Sequence, residues 1–170
     1  MELENALKEF CFPSSFGWGN AHWDGEVTSS EGMNPAGSIG EIRKLKLDGK
    51  ETPSFDGEMY YDGCDTIGLL LKIGSVDPAD LLSDIGTELV QLLALLNSFR
   101  PLGCYYLSED GHLMLKHSLY LSSAQLNQKL LSDVVTASYL EAILVENIFS
   151  LVKADGMPAI KALPMIRSTL

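Results

Sequence analysis

Apolar and polar positions alternate along the middle of this chain and then give way to long stretches at helical spacing. Residues 39–47 alternate around Ile42, Leu45 and Leu47 and predict a strand closed by a turn at Asp48-Gly49. Residues 55–61 predict a second strand, with Asp62-Gly63 after it. Residues 66–73 form a nearly continuous apolar run whose length fits a central strand. Asp-Gly pairs between such runs favour antiparallel hairpins over crossover connections.

Asp77-Pro78 predicts a helix start, with Asp77 as cap and Pro78 at the first helical position. Its apolar stripe runs through Leu81, Leu82, Ile85, Leu89, Leu92, Leu93 and Leu96, and Arg100-Pro101 must end it. A hairpin comes next: a strand around Cys104-Tyr105-Tyr106, a turn at Asp110-Gly111, and a second strand to Leu121. In that second strand Leu113, Leu115, His117, Leu119 and Leu121 share one face, while Met114, Lys116, Ser118 and Tyr120 share the other. Residues 124–154 predict a long helix with two apolar stripes, one through Leu130, Val134 and Ile148, the other through Leu131, Val135 and Phe149. Such girth is wider than one sheet contact needs, so this helix crosses a large core or meets a second molecule.

The ends of the chain have a different texture. Residues 2–10 place Leu3, Leu7 and Phe10 at helical spacing. Residues 14–40 are rich in glycine and hold both tryptophans, Trp18 and Trp23, which predicts turn-rich chain with one short strand around residues 21–28. Residues 157–170 contain Pro158 and Pro164 and predict a loosely attached segment docking on the domain or on a neighbour. The expected organisation is a single α+β domain over residues 1–154, with a Gly/Trp-rich elaboration over 11–40, and a C-terminal tail over 155–170. At 170 residues and 46% hydrophobic content the chain has enough material for one core, since chains of this size bury about 70% of their unfolded surface.

Charge narrows the partners. The formal net charge is −11, with an excess of acids on both sides of residue 75. Such a surface repels nucleic-acid backbones and anionic membranes, and it suits a soluble protein or one that binds basic or amphipathic polypeptide segments. The sequence starts Met1-Glu2-Leu3-Glu4, acidic where a secretory leader needs positive charge, and its longest unbroken apolar runs are too short to cross a bilayer. Cys11, Cys64 and Cys104 are odd in number and widely spaced, so neither a disulfide framework nor a zinc site is expected. A cytoplasmic location and no membrane insertion are the resulting expectations.

Candidate chemistry is sparse. The glycines at 17, 19, 25 and 32 fit neither a P-loop nor a dinucleotide pattern, and there is no GxSxG elbow, HExxH helix or calcium loop. Cys104 with His112 or His117 would be a nucleophile and base on one hairpin, but no adjacent cation lowers the thiol's pKa. His117, lying on the apolar face, reads most simply as structural, either an edge position or a histidine with a satisfied hydrogen bond, with a buried functional histidine as the alternative. Asp80, Asp84 and Glu88 recur every four residues, as for a cation or a basic peptide, a spacing that also describes a solvated helix face. Cys11 and His22 lie beside the tryptophans, and Trp18 with Trp23 would either stack on a ligand or pin a loop to the core. No residue is assigned a catalytic, cofactor-binding or metal-binding role, and no cofactor is expected.

The succession Leu96-Asn97, then residues 103–111 closing on Leu107-Ser108-Glu109-Asp110-Gly111, then an alternating strand to Leu121 and a long helix, resembles the YbjN-type family, whose members share a fold with the type III secretion chaperones. The match spans roughly residues 67–153. The resemblance implies a twisted antiparallel sheet packed against helices, frequent homodimerisation, and a cytoplasmic protein that holds an extended segment of another protein on apolar patches. The expected function is therefore a non-enzymatic chaperone-like or adaptor role toward a protein partner, as a homodimer, without nucleic acid. Two alternatives stand beside it: a small-molecule-binding or enzymatic domain with a pocket around Trp18, His22, Trp23 and Cys64, and a purely regulatory dimerisation domain.

Overall fold

The computed structural model describes residues 19–30, 40–49, 53–61, 66–98, 103–120 and 128–167. Six strands form one sheet: β1 (Gly19–Ser30), β2 (Gly40–Gly49), β3 (Phe55–Tyr61), β4 (Thr66–Ser75), β5 (Gly103–Leu107) and β6 (His112–Tyr120). Their spatial order is β1-β2-β3-β4-β6-β5, and every neighbouring pair is antiparallel. Helices α1 (Asp84–Ser98), α2 (Gln128–Asp155) and α3 (Ala159–Arg167) complete an α+β architecture. The expected N-terminal helix, Trp18, Cys11, Cys64 and the stop at Arg100-Pro101 lie outside the described residues.

The first four strands are a meander. The chain then leaves the sheet through α1, returns as the edge strand β5, and inserts β6 between β5 and β4. Asp110-Gly111 makes the expected turn: Gly111 adopts φ +75°, and a side chain there would also strike the Val76 carbonyl. That close approach serves a backbone hydrogen bond from Val76 N–H to the Gly111 carbonyl at 2.8 Å.

Strand parity divides the sheet cleanly. Leu45 and Leu47 on β2, Phe55, Met59 and Tyr61 on β3, Ile67, Leu69 and Leu71 on β4, Leu113 and Leu115 on β6 and Tyr105 on β5 are all buried. Cross-strand register places them on one face, as in the row Leu45, Gly57, Leu71, Leu115, Tyr105. Helix α2 packs under β4 and β6, and α1 under β5. Tyr139 of α2 meets Phe55 edge to face at 5.8 Å.

The girth of α2 is used within the chain. One side packs on the sheet and another meets α1 and α3, so Leu131, Val135, Ala142, Val145, Phe149 and Val152 are all buried. By length and composition residues 129–155 are apolar enough to cross a membrane, and half of that window is buried inside the fold. The segment expected as a loosely docked tail is the helix α3, with Ala159 and Ala162 buried between α1 and α2.

The start of α1 departs from expectation. Asp77 does accept a hydrogen bond from Ala79 N–H at 2.9 Å, but the chain then enters a 3₁₀ turn at Asp80–Leu82. Ser83 is extended and breaks the spiral, and its Oγ then accepts Ile85 N–H at 3.2 Å, opening the α-helix proper at Asp84. The interruption turns Leu82 out of the apolar stripe, leaving it 94% exposed.

Candidate binding face

Among the described residues the helices pack under one side of the sheet, and none of them covers the opposite, open side. Its positions fall in cross-strand rows: Lys46, Asp56, Lys72, Met114 and Tyr106 form one, and Lys44, Glu58, Leu70, Lys116 and Cys104 the next. A third row runs Ile42, Tyr60, Gly68, Ser118, and Thr66 stands opposite Tyr120. By register β1 adds His22 opposite Lys46 and Asp24 opposite Lys44. The four lysines, Asp56, Cys104, Tyr106 and Tyr120 are exposed, while Leu70, Met114, Glu58 and Tyr60 are half-buried.

Tyr60 gives this face its relief. A Cβ built on Gly68 would lie 2.0 Å from Cζ of Tyr60, so the ring lies across the β4 backbone at a residue without a side chain. It crosses to β6, where its hydroxyl bonds Ser118 Oγ at 2.5 Å. Alongside, Lys44, Asp56, Gly57, Glu58, Leu70, Lys72 and Met114 line a shallow depression of ≈ 330 Å³. Its floor is Leu70 and Met114, and its rim alternates lysines and carboxylates. Partial burial raises the pKa of the Tyr106 hydroxyl, and Cys104, Glu58 and Tyr60 push it further the same way.

The residues singled out from sequence are dispersed. Cys104 is on the open face, and His117 is on the helix side, bonded through Nδ1 to Ser138 Oγ at 2.9 Å. The sheet therefore separates that pair. His112 sits four residues along β6 from the partner of Cys104, ~13 Å of strand away. Cys104 does have a basic neighbour, contrary to the sequence reading: register puts Lys116 opposite it, a proximity hidden by the hairpin turn between them. Ser138 is 0% exposed, so the contact ties half-buried His117 of β6 to the buried side of α2.

Asp80, Asp84 and Glu88 do not form one helix face, because Asp80 belongs to the 3₁₀ turn. Glu88 instead accepts Ala159 N–H at 2.7 Å and caps α3. No group of three metal-ligating side chains occurs among the described residues. His22 and Trp23 are consecutive on β1, with Trp23 in register with Leu45 and His22 with Lys46. Their backbone positions therefore alternate between the two faces of the strand.

Sequence reasoning isolated Met114, Lys116, Ser118 and Tyr120 as one face of a strand but missed the surface they belong to. The signal was present in β2 and β3, where Lys44 and Lys46, then Asp56, Glu58 and Tyr60, alternate with apolar residues. Joining those short alternations into one surface requires the inter-strand register. In comparisons with known proteins, no protein-family model and no curated protein matches the chain.

Proposed function

We propose that this protein is a non-enzymatic, chaperone-like adaptor that holds a polypeptide segment of a partner protein on the open face of its sheet. One observation carries the reading: a six-stranded sheet whose described helices pack on one side only, while the other side presents half-buried Leu70 and Met114 among Tyr60, Tyr106 and Tyr120. Burying such apolar surface against a partner is worth ~25 cal/mol per Å² before the cost of association. The aromatic groups supply rigid contact area, and the lysines and carboxylates a polar rim.

The edge of β5 is a poorer place for a partner strand, because Asn97 occupies it at Tyr105. The open face is therefore preferred over strand addition there. A photo-crosslinking residue at Met114, compared with one at the exposed Thr87 of α1, tests the reading in an extract of the native cell. Polypeptide adducts at Met114 and not at Thr87 are expected. Adducts at neither position, or equally at both, would refute it.

A further inference from the structure

The chain as a whole is strongly acidic, with 12 Lys and Arg against 23 Asp and Glu, and on that sum its partners should be basic. The open face inverts the sum. On strands β2–β6 it carries four cations, Lys44, Lys46, Lys72 and Lys116, and two anions, Asp56 and Glu58, and on β1 the register position beside Lys44 is Asp24, so cations still outnumber anions. Resting on the adaptor reading above, we propose that the segment held on this face is an acidic one, with carboxylates four residues apart flanking an apolar or aromatic side chain.

Distance decides which charge a partner feels. Charges are screened over about 8 Å at physiological ionic strength, and packed protein layers are ~10 Å apart. Carboxylates beyond the helix layer are therefore largely hidden from a ligand on the open face. Lys44, Lys72 and Lys116 form no hydrogen bond or ion pair among the described residues, so their ammonium groups remain available to a ligand.

Spacing sets the pattern. Lys44 and Lys116 stand three strands apart, ~14 Å at ~4.8 Å per strand. An extended chain covers that span in about four residues at ~3.3 Å each, which turns both end side chains and the one midway toward the sheet and brings the middle one over the Glu58 and Leu70 positions. Asp56 lies between Lys46 and Lys72, and Glu58 is opposite Lys44. A nucleic acid carries a charge at every nucleotide and would set phosphates against both carboxylates. A peptide can place its acids only where lysines stand.

The test uses the full chain and fluorescein-labelled peptides of about twelve residues, ~40 Å extended, built from Glu, Leu and Phe with Glu at every fourth position. Matched peptides carry Gln or Lys in place of Glu, and a twelve-nucleotide uridylate oligomer is the nucleic-acid arm. The Glu peptide should bind at least about tenfold more tightly than the Gln peptide and weaken as salt rises, and the Lys peptide should not compete. Lys72→Glu with Lys116→Glu should weaken the Glu peptide by about tenfold or more, while Lys161→Glu on α3 leaves it unchanged. Gln or Lys peptides binding as well as Glu, a charge-reversed face that binds equally well, or tighter binding of the oligomer would each overturn the proposal. Crosslinking at Met114 without a preference for Glu would defeat the acidic inference alone. No polypeptide at Met114 would defeat the adaptor reading beneath it.

Discussion

The side-chain amide of Asn97, at the end of α1, bonds both backbone groups of Tyr105 on the edge strand β5: Tyr105 N–H donates to Oδ1 at 2.7 Å, and Nδ2 donates to the Tyr105 carbonyl at 2.9 Å. The amide thus stands in for a residue of a seventh strand. Edge strands present unpaired donors and acceptors that recruit other chains, and this contact satisfies the centre of a strand only five residues long. Asn97→Ala should cost about 1–2 kcal/mol, since two hydrogen bonds are lost and the freed groups are partly solvated. It should also promote concentration-dependent self-association. Urea denaturation and light scattering of the two proteins read these effects separately.

Tyr60 depends on the emptiness of Gly68. In Gly68→Ala the new methyl group takes the place of the ring, which must swing off the sheet and release Ser118. We expect a loss of about 1 kcal/mol, the worth of that hydrogen bond. The loss should shrink in a Tyr60→Ala background, so a double-mutant cycle on denaturation midpoints reports the coupling.

Tyr105 also binds inward. Its ring is buried and its hydroxyl donates to Glu141 Oε1 on α2. The Tyr105→Phe substitution should cost about 1.5–3 kcal/mol, the range for hydrogen bonds to charged groups. Glu141→Gln keeps an acceptor and should lose less than Glu141→Leu. Thermal denaturation of the three variants gives the order.

Tyr106 predicts a pH effect. Its folded pKa lies above the ordinary value of 10.0. Above about pH 10 the unfolded chain therefore gives up this proton while the folded protein keeps it, and stability falls as pH rises. Tyr106→Phe should remove part of that decline between about pH 9 and pH 11, and the hydroxyl should ionise late in an ultraviolet titration. The effect is small because the residue is on the surface.

Local patterns proved legible where one period ran uninterrupted. Residues 55–61 are a strand at both predicted ends, and the alternation of residues 113–119 put His117 on the helix side, where it meets Ser138. The start of α1 was harder, because Asp77 and Ser83 are both capping residues that compete to open one helix. Only the extended backbone at Ser83 decides between them. The binding face was least legible. Net charge is a sum without positions, and Lys44 and Lys116 become members of one surface only through the pairing of four strands.

Strand β4 carries a bulge between Lys72 and Gly74. Beyond it the parity of the strand reverses: Ile73 is buried, and Gly74 still faces the helices, close against the Phe149 ring. With Ile73 and Gly74 both toward the helices, the unbroken alternation on the open side of β4 stops at Lys72, and only Ser75 follows it beyond the bulge. From Thr66 that leaves four outward positions over ~20 Å, at ~3.3 Å per residue. The irregularity is a margin ruled across the sheet, fixing how long an unbroken footprint β4 can offer and placing a lysine at its last line.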